Sequence, residues 1–264
     1  MSNVKKETHV DGLGTLYLCN DSAFDSASKA VLTTADSLIT LRNLAYARIQ
    51  EGKDSSVSTN GSYVKEGSLF VPKAANKRIW LRESLVLAHP SDAVASHKRG
   101  DEYVLPEGFN VDAHLEQVGK DNYFILTNTD SVPTNRFGED ERTVWLFGDQ
   151  AKAYGEFLGS EPKKIENVNI WMYTGNDKHI DSQKGPFANQ LWLHWLGDNS
   201  DIDGNNWGLN NSNAVRGVRY EHAAGVAPKN SDLYSPSQFF EALDKAGLTI
   251  KGDLEKTVLD TLRK

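Results

Sequence analysis

Residues 187–221 constrain this chain more than any other part of it. They join two strongly patterned apolar ends through a middle unsuited to a core. Leu191-Trp192-Leu193-His194-Trp195-Leu196 at one end and Val215-Arg216-Gly217-Val218-Arg219-Tyr220 at the other are rich in β-branched and aromatic residues, which fit strands. Between them, positions 197–214 are almost entirely Gly, Asp, Asn and Ser. Asn and Asp side chains hydrogen-bond nearby backbone and tolerate left-handed conformations, so a plain solvated loop is one reading. The other is a recognition surface: Trp207 and Leu209 interrupt the polar run, and aromatics mixed with small polar residues combine rigid contact area with adaptable hydrogen bonding.

The pattern resembles the variable proteins of diversity-generating retroelements, including those of archaeal viruses, in which adenine mutagenesis rewrites Asn codons. Asn199, Asn205, Asn206, Asn210, Asn211 and Asn213 stand beside Gly197, Asp198, Ser200, Asp201, Asp203 and Gly208. These are the residues of an unaltered AAC codon and of its A-to-G changes. From His194 to Asn213 the chain has no Lys, Glu, Gln or Met, residues that such mutagenesis cannot produce. Trp195 and Trp207 would then be fixed positions, and Val215 to Arg219 resembles the constant strand that closes a variable region. The resemblance implies a variable region of about 187–219 and a ligand-binding surface of His194, Asp198, Asn199, Ser200, Asp201, Asp203, Asn205, Asn206, Trp207, Asn210, Asn211 and Asn213. In that reading Asn199, Asp201, Asn205, Asn206, Asn210 and Asn211 hold their side chains in solvent.

A second stretch, an apolar run from Thr143 to Phe147 followed by Ala151-Lys152-Ala153-Tyr154-Gly155-Glu156-Phe157-Leu158-Gly159, resembles the second helix of the formylglycine-generating-enzyme type of C-type-lectin-like fold. The two stretches imply an α+β chain of that fold with additional terminal helices. The expected division is an N-terminal helical region at 1–70, a lectin-like domain at 71–225 and a C-terminal helical extension at 226–264. The extension departs from the usual family arrangement, where the variable stretch lies last, and suits oligomerisation or attachment.

Chemistry-bearing constellations are few. Gly12-Leu13-Gly14 lacks the third glycine of a dinucleotide fingerprint, and there is no phosphate-binding Gly-Lys-Ser loop. Ser26-Ala27-Ser28-Lys29 has the spacing of a penicillin-binding serine but no companion Lys-Thr-Gly. The seven His are scattered. The cysteines of the formylglycine-generating enzymes have no counterpart, so that activity is not implied; binding without catalysis and without a cofactor is expected. Asn199, Asp201, Asp203 and Gly204 match alternate positions of a calcium loop, but its twelfth position, Asn210, is no bidentate Glu. A calcium-dependent carbohydrate-binding module is the alternative. Trp145, Trp171, Trp192 and Trp195 are expected as core anchors of strands.

A net charge of -7 argues against nucleic-acid or anionic-membrane partners. No apolar run approaches the roughly 20 residues of a membrane helix, the polar first residues are no signal peptide, and the lone Cys19 allows no internal disulfide. The expectation is a protein folded in the cytoplasm and displayed on a virion or cell surface. Its ligand would be a protein or glycan on a host or neighbouring cell, with homo-oligomerisation suited to the extension.

Along the rest of the chain, strands are expected at 16–19, 63–71, 77–88, 123–126, 143–147 and 167–173. Helices are expected at about 22–50 with a break near Thr33-Thr34, at 90–97, from Asn110, and from Asp149 to Gly159. The intervening stretches 53–61 and 175–185 read as loops, and 235–243 and 253–263 as helices.

Overall fold

The computed structural model describes residues 3–197, 200–205 and 208–221. Residues 1–221 form one compact unit; the expected helices beyond Glu221 lie outside the described residues.

The strands are β1 (Lys5–Val10), β2 (Gly14–Cys19), β3 (Ser37–Leu38), β4 (Ser62–Phe70), β5 (Arg78–Leu81), β6 (Tyr123–Ile125), β7 (Val132–Pro133), β8 (Asn167–Val168), β9 (Ile170–Trp171), β10 (Phe187–Leu193), β11 (Ile202–Asp203) and β12 (Val215–Tyr220). The main sheet runs β1-β2-β12-β4-β10-β11-β9, with β3 on β12 and β5 then β6 branching from β4. The two ends of the 187–221 stretch therefore become interior strands: β12 lies between β2 and β4, and β10 between β4 and β11.

Alternation along the interior strands feeds two apolar layers. Phe187, Leu191 and Leu193 enter one, and Ala188 and Trp192 the other; in β4, Val64 and Phe70 oppose Tyr63 and Leu69. The helices are α1 (Phe24–Leu32), α2 (Leu41–Glu51), α3 (Ser56–Thr59), α4 (Pro90–Lys98), α5 (Val111–Val118), α6 (Glu141–Phe147), α7 (Ala151–Gly159) and α8 (Asp177–Ser182). The first layer is closed by α2, α6 and α7 through Leu44, Leu146, Phe147, Tyr154 and Leu158, and the second by α1 and α4 through Phe24, Val31, Ala93 and Val94.

The structure corrects several expected elements, and short-range capping explains most of them. Residues 143–147 belong to α6 rather than to a strand, because the Asp140 side chain accepts from the Arg142 and Thr143 N–H groups and starts a helix. The long helix over 22–50 is split into α1, β3 and α2, with the Thr40 hydroxyl capping Asn43 N–H. Strand β5 stops at Leu81, and Ser84 caps a 3-10 turn over Leu85–Ala88. Asp149 pairs with Arg42 instead of capping α7. The expected loops at 53–61 and 175–185 contain α3 and α8, and the strand expected at 167–173 is the two short strands β8 and β9. The division after residue 70 does not separate two bodies, since β1, β2 and β4 share one sheet with β10 and β12.

Candidate functional site

The connection between β10 and β12 leaves and re-enters the sheet through anchors that hold backbone atoms. Arg48, fully buried on α2, donates from Nη2 to the carbonyls of His194 (2.8 Å) and Asn60 (3.2 Å), from Nε to that of Val57 (3.1 Å), and from Nη1 to the Tyr154 hydroxyl (2.8 Å). Burial pulls this guanidinium below its ordinary pKa, and each of its acceptors offsets part of the desolvation. Leu196 N–H donates to the Ser58 carbonyl at 2.7 Å. At the return, Arg216 forms a two-point pair with Glu7 at 2.7 and 2.8 Å and donates to the carbonyls of Gly61 and Ser56. Burial alone would raise the Glu7 pKa; Arg216 outweighs it and holds the carboxylate below its usual range.

Between these feet, residues 200–205 go down into the fold. Ile202 and Asp203 form β11, parallel to β9 and antiparallel to the end of β10, with Ile202 in the core. The structure corrects the expected exposure of Asp201: its side chain is 5% exposed, Oδ2 accepting from Trp171 Nε1 at 3.0 Å and Oδ1 from Asn169 Nδ2 at 2.9 Å. Asp203 is equally buried; it accepts from Asn205 N–H at 2.7 Å and lies 3.8 Å from His194 Nε2. Ser200 is fully buried, with no partner for its hydroxyl among the described residues. Asn205, also expected in solvent, is half-buried, and its side-chain oxygen accepts the N–H of Tyr173 at 2.5 Å. Tyr173 has a left-handed backbone, φ 51°, and its hydroxyl donates to Glu102, which also pairs with His179 at 2.7 Å. Gly204 admits no side chain: a Cβ there would sit 2.3 Å from Met172 Sδ and 2.9 Å from Leu191 Cδ2.

Residues 208–213 stay at the rim. Asn211 and Ser212 are exposed and Asn210 half-buried, whereas Asn213 turns back to donate to the Gly208 carbonyl at 3.1 Å and the Tyr63 hydroxyl at 3.4 Å. Leu209 is buried beside Trp192 and Tyr63, and its carbonyl accepts from Phe24 N–H. His194 is half-buried, its ring 5.4 Å from that of Trp195. Asp198, Asn199, Asn206 and Trp207 lie outside the described residues.

Of the four tryptophans expected in the core, Trp192 is buried, edge-on to Tyr63 at 4.8 Å, and Trp145 is partly buried against Trp80. Trp171 and Trp195 are corrections, at 42% and 46% exposure. Trp171 lies on an edge strand and Trp195 just past the end of β10, so neither has sheet to cover it. Trp171 belongs to the candidate site although it precedes the 187–221 stretch. Among the described residues no group of three or more His, Cys, Asp or Glu is arranged to hold a metal ion, and no described helix is long and apolar enough to cross a membrane.

No family model and no curated protein matches the chain. A solved structure does, one described as "Accommodation of massive sequence variation in Nanoarchaeota by the C-type lectin fold". It superposes with a TM-score of 0.53 at 18% identity, over 83% of this chain and 98% of that one. The fold is that of the C-type lectins. In these terms the connection between β10 and β12 is part of a scaffold of that fold, anchored at both feet and again at β11.

Proposed function

We propose that the chain is a ligand-recognition protein in which a retroelement, acting through Asn codons, diversifies the surface between β10 and β12 on a constant frame of the formylglycine-generating-enzyme type. The observation that carries this reading is the division of labour in that connection. Its first foot is gripped at the His194 carbonyl by the buried Arg48, and its second is fixed by the buried Arg216 side chain, which reaches Glu7 and the carbonyls of Gly61 and Ser56; at the rim the side chains of Asn211 and Ser212 are exposed and make no hydrogen bond among the described contacts, with Asn210 half-buried beside them. A segment built in this way supports changes of contact chemistry without changes of fold. The likeness to a lectin-fold protein that accommodates massive sequence variation points in the same direction. We take the chain to bind rather than catalyse, without a cofactor, and to meet a protein or glycan of a host or neighbouring cell from a virion or cell surface.

The test is a library in which Asn199, Asn206, Asn210 and Asn211 are replaced by Ser, Asp, His or Tyr, selected against candidate surfaces and screened by thermal unfolding. Members should keep the melting transition of the parent while changing or losing the selected ligand. If most members unfold, these positions are structural and the reading fails. A near-copy of the codons for 187–219 with Asn at the variable positions, beside a reverse transcriptase gene, would establish the retroelement.

A further inference from the structure

Register places four residues in one row across the sheet: Trp171 opposite Asp203, Asp203 opposite Trp192, and Trp192 opposite Tyr63. Directly paired positions share a face of the sheet. The inner members of the row are covered, and the outer one, Trp171, is open to solvent. Its indole is nonetheless fixed, because Nε1 is spent on the buried Asp201 carboxylate. The same Asp201 accepts the His194 N–H through its carbonyl at 2.9 Å, one residue before Trp195. The Trp195 indole folds back over Gly197, where a Cβ would meet its Nε1 at 2.8 Å, and it lies against the His194 ring. Two large aromatic surfaces are thus exposed: Trp171 is fixed through its indole N–H by the Asp201 side chain, and Trp195 follows a residue whose main-chain N–H is held by the Asp201 carbonyl.

Charge selects what such surfaces take. Residues 194–214 hold three Asp and no Lys or Arg. Arg78, which reaches the carbonyls of Met172 and Tyr173, is paired with Asp177 at 2.5 Å. Both carboxylate oxygens of Asp201 and one of Asp203 already accept N–H groups, so they supply negative field rather than the convergent oxygens a metal ion requires. An organic cation is bound differently: its charge is stabilised by indole faces and by carboxylates it need not ligate.

We propose that Trp171 and Trp195, backed by Asp201 and Asp203, form a subsite for an alkylated ammonium group. It is a constant element beside the diversified positions and deepens the recognition reading on which it rests. The probes are choline and its neutral isostere 3,3-dimethylbutan-1-ol, titrated into the full chain and followed by tryptophan fluorescence and calorimetry. Choline should bind saturably and at least tenfold more tightly than the isostere, and Trp195→Ala and Trp171→Ala should each weaken it roughly threefold to thirtyfold. Because Trp171→Ala also frees Asp201, Trp171→Phe serves as its partner; it keeps a ring and should retain part of the affinity. Saturable binding of a trimethyllysine peptide or of phosphatidylcholine vesicles would support the subsite and identify the cation as protein-borne or lipid-borne. Equal affinity for the neutral isostere, saturable binding of a neutral monosaccharide with none of choline, or no binding at all would overturn it. None of those outcomes touches the library experiment, so the subsite can fail while the diversified surface stands.

Discussion

Residues 200–205 and 208–213 are drawn from nearly the same small alphabet, and the fold uses them in opposite ways. In the first, residues 200–204 are buried, Ile202 and Asp203 pair as β11, Asp201 is bonded to Trp171 and Asn169, and Asp203 lies beside His194. In the second, Leu209 alone reaches deep into the core while Asn210, Asn211 and Ser212 line the rim. Polar composition therefore does not distinguish display from anchorage. What distinguishes them is whether a polar side chain finds a protein donor before it finds water.

The comparison can be broken or sharpened by substitution. The largest effect belongs to the frame beneath both segments: Trp192→Ala leaves a cavity beside Tyr63 and Leu209 and should cost about 3–5 kcal/mol in denaturant unfolding. Asp201→Ala strips acceptors from the Trp171 indole and Asn169 and should cost about 1–3 kcal/mol. A loss below about 0.5 kcal/mol would return Asp201 to the displayed set. Chelator and added calcium should each move the melting temperature by less than about 2 °C, because Asp201 and Asp203 spend oxygens on N–H groups. A rise of many degrees with calcium would favour the carbohydrate-binding alternative. Least of all, Asn211→Tyr and Asn210→Ser should change stability by less than about 0.5 kcal/mol. A cost near that of Asp201→Ala would erase the contrast between the two segments.

Much of this was legible in the residues, and the misses share a cause. Residues 215–220 read as a strand and are one, because their β-branched and aromatic pattern is matched by pairing on both sides. The helix expected from Asn110 is also present as α5, with the Asn110 side chain accepting from Ala113 N–H. Residues 143–147 carry an apolar run that suits strand or helix equally, and Asp140 decided it through a local hydrogen bond that periodicity does not register. At the site, Asp201 looked like a rim residue because its partner, Trp171, lies 30 positions earlier on another strand. Trp171 looked like core because exposure of a strand aromatic depends on whether that strand is an edge, a property of the sheet and not of the segment, and Trp195 because the apolar run continues past the point where β10 ends.

Arg48 grips the first foot of the β10–β12 connection at the carbonyl oxygen of His194, with further bonds to the carbonyls of Val57 and Asn60. A carbonyl is present whatever side chain its residue bears. The grip is therefore blind to the letter written at position 194, and a gene that rewrote that codon in every generation would never loosen it.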